Sequence, residues 1–166
     1  MLISSDSNIW FDFLEISCLS HPFRLRHDYY LSDITFETEI DAESKELLKR
    51  SGLLVTAVSE EELMEAINLR KRYYQLHFND AIALSIAKKR KWMLLSGDGA
   101  LRKAAKIEGV ECKGTIWIYD QLIEEGQINQ MEYERALKKM LESVLVKKRR
   151  LPIKELKVRL EKSMQA

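Results

Sequence analysis

Two aspartates in this chain stand just after short apolar runs. Asp6 follows LISS directly, and Asp98 follows WMLL after a two-residue turn, between Gly97 and Gly99. In an open parallel sheet, ligands bind beyond the carboxyl ends of the strands, near the point where strand order reverses. Acids far apart in sequence can therefore meet at one edge. Asp80, in the first turn of the helix opening at NDAIALSIAKKRK, supplies a third acid, and Glu37 and Glu39 in ITFETEI supply a fourth after another apolar run. Four carboxylates gathered without a counterion repel, and some must hold a proton at neutral pH. A divalent cation removes that conflict, and all-oxygen ligation suits Mg²⁺ or Mn²⁺. Two such ions roughly 3.5 to 4 Å apart can activate a water and stabilise the leaving oxygen of a phosphodiester.

Each residue also has a plain reading. Asp6 and Asp98 can simply cap the helices that follow them. Asp80 alone is a first-turn acid at the positive end of a helix dipole, and Glu37 or Glu39 alone is a solvated side chain. Only the joint arrangement favours the metal reading. The glycines around Asp98 are expected to let the backbone tighten and aim the carboxylate.

The elements that must position these acids alternate between short apolar runs and longer amphipathic stretches, the pattern of an α/β domain with a largely parallel sheet. The expected strands are 2–5, 29–31, 53–58, 92–95 and 115–119. Ser59 with Glu62 and Asn129 with Glu132 have the spacing of capping boxes, which places two helix starts. Ile82, Ala83, Ile86 and Ala87 share one face of the helix that begins near Asp80. Gly126 closes the helix of DQLIEEG, a long amphipathic helix runs from Gln130 to about Val146, and Pro152 starts a short last one.

These residues together resemble the PIN-domain nucleases, particularly the single-domain prokaryotic type that includes the VapC ribonuclease toxins. LISSDSNIWFDFL is similar to the family's opening strand and its Asp-Ser/Thr-Asn motif. NDAIALSIAKKRKWMLLSGDGALRKAA is similar to its third and fourth acidic motifs, and KGTIWIYDQLIEEGQI resembles its last strand and helix. The resemblance implies a three-layer α/β/α fold with a central, mostly parallel sheet of about five strands and extra C-terminal helices. It divides the chain into a nuclease domain over 1–145 and a basic helical extension over 146–166.

Carried over residue by residue, the resemblance implies that Asp6, Asp80 and Asp98 ligate Mg²⁺ or Mn²⁺ and that one glutamate completes the pocket. Glu39, before Ile40, fits the family's apolar or small flanks better than Glu37, after Phe36. Asn8 and Ser96 would orient a carboxylate or bound water. The implied activity is endonucleolytic hydrolysis of RNA, leaving a 5′-phosphate and a 3′-hydroxyl. The toxin relatives imply a small antitoxin and a homodimer. Two other classes stay open: a module that only binds RNA or protein on this scaffold, and a phosphoacceptor of the receiver type. The latter expects an acidic pair after the first strand and a lysine ending the last, where this sequence has Tyr119 and Asp120.

Bulk properties fit a soluble domain with one buried core. The 166 residues are 46% hydrophobic and 32% charged, with a formal net charge of +1, so no global field announces a nucleic-acid or membrane partner. Locally, residues 147–162 hold eight Lys or Arg against two Glu, either a phosphate-binding tail or a solvated face. Lys88, Lys89, Arg90, Arg102 and Lys103 could track a phosphate backbone or pair at helix ends. Cys18 and Cys112 have no zinc-site spacing and are expected to be reduced, buried thiols. His21, His27 and His77 are expected in loops or on the surface. The opening MLISSDSNIWFDFL lacks a basic leader, and no apolar run approaches a membrane span, so a cytoplasmic location is expected.

Overall fold

Five short strands carry the molecule: β1 (Leu2–Ser5), β2 (Asp28–Ser32), β3 (Leu54–Thr56), β4 (Met93–Leu95) and β5 (Cys112–Lys113). All pairings are parallel, and the order across the sheet is β3-β2-β1-β4-β5. The chain thus steps outward from β1 in one direction, then returns past it to lay down β4 on its other side. The β1/β4 boundary is the switch point, and the crevice above it is where such a sheet takes a ligand. The computed structural model describes residues 1–147 and 151–164.

Successive strand residues face opposite sides of the sheet, and β4 shows the consequence. Leu95 joins the core on one face with Trp10, Phe13, Tyr29, Tyr119 and Leu137, while Leu94 joins the other with Leu69, Ile82, Leu84 and Leu101. The first core is covered by α1 (Ser7–Glu15), α7 (Thr115–Glu124), α8 (Gln130–Lys147) and α9 (Ile153–Ser163). The second is covered by α4 (Glu60–Arg72), α5 (Phe78–Arg90) and α6 (Gly99–Ile107). Two further helices, α2 (Asp33–Glu39) and α3 (Ala42–Ser51), link β2 to β3 and place Phe36, Ile40 and Leu48 in the first core.

The expected capping boxes are present. Glu62 returns to the Ser59 amide at 2.9 Å, and Glu132 returns to the Asn129 amide at 3.0 Å. Helix α5 is more enclosed than a one-faced stripe requires: every residue from Ala81 to Ala87 is buried, because α4 covers the side turned away from the sheet. Ser4 Oγ donates to the Ala83 carbonyl at 2.9 Å and fixes α5 to β1.

The expected strand at 115–119 is instead the first half of α7, and the fifth strand is the two-residue Cys112–Lys113. TIWIY has the β-branched and aromatic composition of a strand, but composition yields here to tertiary context. Thr115, Ile116, Ile118, Tyr119 and Leu122 are all buried on the helix, which is apolar around most of its girth. The expected strand at 53–58 is likewise shorter, with only Leu54–Thr56 paired to β2.

Within the C-terminal stretch, Leu156 is fully buried and Leu160 joins it in the first core, whereas Leu145 stays exposed. Arg159 forks onto Asp120 of α7, with Nη2 at 2.6 Å from Oδ2. Residues 148–150 and the side chain of residue 147, half of the basic run, lie outside the described residues.

Candidate active site

The three aspartates are set by helix capping, and that capping aims them at the switch point. Asp6 is the N-cap of α1 and accepts from the Ile9 amide at 3.1 Å. Asp98 is the N-cap of α6 and accepts from the Leu101 amide at 2.8 Å. Asp80, in the first turn of α5, accepts from the His77 amide at 3.3 Å. The capping reading therefore holds for Asp6 and Asp98 and the first-turn reading for Asp80, and neither competes with a site. One carboxylate oxygen ends the helix and the other is left for different work.

Ser96 joins two of them. Its hydroxyl donates to Asp6 Oδ2 and accepts from the Asp98 amide at 3.0 Å, so a single buried side chain spans the β1/β4 boundary. The Asp6 amide donates to the Leu95 carbonyl at 3.2 Å, tying the same two strand ends by backbone.

Glu39 and Glu37 part company. Glu39, the last residue of α2, accepts from Ser7 Oγ and from Asn79 Nδ2, the latter at 2.6 Å, and its charge is felt by Asp80. Glu37 is exposed and paired with Lys45 at 2.6 Å, which holds its carboxyl below the usual range. The turn of one helix thus brings Glu39 to the other acids and leaves Glu37 outside. Asn8 is exposed on α1, and its buried neighbour Ser7 makes the contact to Glu39 instead.

The site is electrostatically tense. Asp6 is only 3% exposed, and burial raises its carboxyl to about 7 despite the opposing Ser96 and Ile9 hydrogen bonds. The charges of Asp80 and Asp12 add to that rise. Asp80 is raised to about 6, first by burial and then by the negative charge of Asp98. No Lys or Arg among the described residues forms an ion pair with Asp6, Glu39, Asp80 or Asp98. Nor do any three His, Cys, Asp or Glu side chains among the described residues converge closely enough to enclose an ion by themselves. The four acids are linked by charge instead, with Asp80 felt by Asp6 and itself feeling Asp98 and Glu39.

The profile of the PIN-domain family matches residues 5–164. The chain belongs to the PIN-domain family. Nine chains of solved structure match it. One is from a toxin-antitoxin complex of Klebsiella pneumoniae, 21% identical, with a TM-score of 0.46 and coverage of 59% of this chain and 87% of that one. No curated protein matches.

In this PIN domain the glycines beside Asp98 do a different job from the expected one. Neither Gly97 nor Gly99 has a left-handed backbone, and a Cβ at either would meet nothing within 4 Å. Asp98 is aimed by its cap and by Ser96, and the glycines leave the approach to it bare.

Sequence reasoning missed Ser7, Asn79 and Asp12. Ser7 and Asn79 adjoin the acids Asp6 and Asp80 directly, and that adjacency was the available signal. Asp12 gave none, because its link to the site through α1 and its contact with Thr115 Oγ1 at 3.4 Å depend on the fold.

Two of the five expected cationic residues are paired away from the acids. Lys88 pairs with Glu65 and Glu108, and Arg90 pairs with Glu62 at 2.5 Å, all at the end of α5 away from Asp80. His21 is half-buried against the Tyr119 hydroxyl at 3.1 Å, and His77 is exposed at the start of α5. His27 lies in a loop, as expected, but both its ring nitrogens are buried, with the imidazole parallel to the Trp117 ring. Cys18 and Cys112 are free thiols, both half-buried. No helix among the described residues is long and apolar enough to cross a membrane.

Proposed function

We propose that this PIN domain is an endoribonuclease that uses Mg²⁺ or Mn²⁺ to hydrolyse RNA phosphodiester bonds. The observation that carries the reading is the set of four carboxylates at the sheet's switch point, Asp6, Glu39, Asp80 and Asp98, with Asp80 coupled by charge to the other three and no Lys or Arg among the described residues paired to any of them. PIN domains are generally nucleases, which supports a hydrolase. The donor set is all oxygen, which suits a hard divalent cation.

In this reading Asp6, Asp80, Asp98 and Glu39 hold the ion, completed by water. When bound, the ion supplies an ionised water as nucleophile and positive charge for the leaving oxygen. The protein's own part is positional. Ser96 holds one Asp6 oxygen toward the crevice and keeps the Asp98 loop in register with it. Ser7 and Asn79 fix both Glu39 oxygens. The bare backbone at Gly97 and Gly99 leaves room for a polymer to approach. A small antitoxin and a homodimer belong to the same reading through the toxin relatives.

The test is cleavage of a mixed-sequence single-stranded RNA by the full chain with Mn²⁺, Mg²⁺ or EDTA, beside Asp6→Asn and Asp98→Asn. Both substitutions keep an oxygen for the helix cap, so the fold should survive. Metal-dependent cutting that disappears in both variants supports the reading. Cutting that persists in both variants overturns it, and RNA binding without any cutting moves the function to a non-catalytic module.

A further inference from the structure

A groove of roughly 640 Å³ opens beside the acids, floored by Gly97, Gly99 and Gly114 and walled by Arg102, Trp117 and the start of α9. Its charges are unevenly spoken for. Arg159 lies between two carboxylates of the groove wall, Asp120 at 2.6 Å and Glu155 at 3.5 Å, and Lys113 faces Glu111 at 3.2 Å. Arg102 has no carboxylate partner among the described residues. Its guanidinium rests only on the Ser96 carbonyl at 3.5 Å, the residue whose hydroxyl holds Asp6.

Gly114 shows how closely that guanidinium is seated. A Cβ there would lie 2.9 Å from Arg102 Nη1 and 3.6 Å from the Ser96 carbonyl oxygen. Backbone conformation does not demand glycine, since φ is −122°. The missing side chain makes space for the arginine head.

We propose that Arg102 is a substrate-binding residue: it holds a phosphate of the single-stranded RNA next to the scissile bond, and the strand continues along this groove from the Asp98 loop toward Trp117. The inference rests on the nuclease reading and deepens it by naming the path of the strand. A planar guanidinium with free donors matches a phosphate's paired oxygens, and its position beside an acidic pocket draws the polyanion past carboxylates that would otherwise repel it. The three glycines leave the floor flat enough for a sugar-phosphate backbone, and the half-buried Trp117 offers a ring edge or face to a base.

The experiment is binding of a fluorescein-labelled single-stranded RNA to the full chain in EDTA, by anisotropy across a salt series, with Arg102→Ala, Gly114→Ala and Lys71→Gln. Working without metal separates binding from cutting. Arg102→Ala should weaken binding about tenfold and flatten the slope of log K against log salt by about 0.7, the loss of one phosphate contact on a single strand. Gly114→Ala should displace the guanidinium and reproduce part of that loss with the charge still present. Lys71→Gln, exposed in the last turn of α4, should leave the slope unchanged, and thermal melts check that each variant folds. Wild-type affinity and slope in Arg102→Ala, with wild-type protein binding and cutting RNA, would overturn the groove and leave the nuclease standing. A wild-type chain that neither binds nor cuts RNA would overturn both.

Discussion

The Ser96 hydroxyl donates to Asp6 across the β1/β4 boundary and in the same position accepts the Asp98 amide, so one oxygen sets the spacing of two acids that are 92 residues apart in the chain. Ser96→Ala removes both bonds at once. A buried carboxylate and a half-buried amide then lose their partner, a cost of about 1–3 kcal/mol. Because that bond lowers the Asp6 carboxyl, its loss should raise it further. The variant should melt several degrees lower, and the acidic limb of its pH–rate profile should move to higher pH. An unchanged profile would mean that Ser96 serves the fold alone.

Protons and metal compete for the same carboxylates. Asp6 and Asp80 have folded-state pKa values raised to about 7 and about 6, against 3.8 for the free group. Between about pH 4 and 7 the folded chain therefore holds protons that the unfolded chain has released, and stability from these groups falls as pH rises through that window. In EDTA, Asp6→Asn should be more stable than wild type at pH 8, with the gap closing toward pH 4. Mg²⁺ should raise the wild-type melting temperature at pH 8 and raise it less at pH 5.5, where the ligands are protonated. Bound at ten times its Kd, the ion would add about 1.4 kcal/mol. A Mg²⁺ effect independent of pH, or equal in Asp6→Asn, would argue against ligation by Asp6.

The two glutamates of ITFETEI make a matched pair for testing. Glu39→Gln changes a group fixed by Ser7 and Asn79 and felt by Asp80, while Glu37→Gln changes a solvated residue paired with Lys45. Glu39→Gln should lower the cleavage rate at least tenfold and weaken Mg²⁺ binding. Glu37→Gln should alter cleavage less than twofold and leave the melting temperature close to wild type, because it removes only an exposed ion pair. Equal losses in both would show that α2 as a whole, and not Glu39, matters.

Much of this site could be read in the residues because its acids are also helix caps. Capping is a local signal, so Asp6, Asp80 and Asp98 could be placed at strand ends and helix starts without a fold. What could not be read was whatever a third element decides. TIWIY has strand composition, yet its burial against α1, the Pro22–Arg24 turn and α8 goes with a helix. Glu37 and Glu39 differ by two positions, and only the turn of α2 separates the one that meets Ser7 from the one that meets Lys45. The bare approach at Gly97 and Gly99 looked like a demand on backbone geometry, and the structure shows unfilled space instead. Lys88 and Arg90 were legible as helix-end charges, but their partners Glu65, Glu108 and Glu62 come from α4 and the α6 end.

His27 presents the opposite case, a polar group whose burial serves no visible polar purpose. Its ring stacks on Trp117 at 5.8 Å with an interplanar angle of 11° and meets the edge of Tyr29 at 6.0 Å, and neither nitrogen has a partner among the described residues. A neutral imidazole brings one donor and one acceptor, and burying them unmet costs more than burying carbon of the same shape. Phenylalanine keeps the aromatic contacts and removes both polar atoms. His27→Phe should therefore be at least as stable as wild type and up to about 1 kcal/mol more so, a rise of roughly 2–4 °C in a chain of this size. Thermal melts at pH 7.5 would check it. A fall of several degrees would mean that the imidazole nitrogens are bonded through ordered water, and that the Trp117 side of the groove is held by a hydrated histidine.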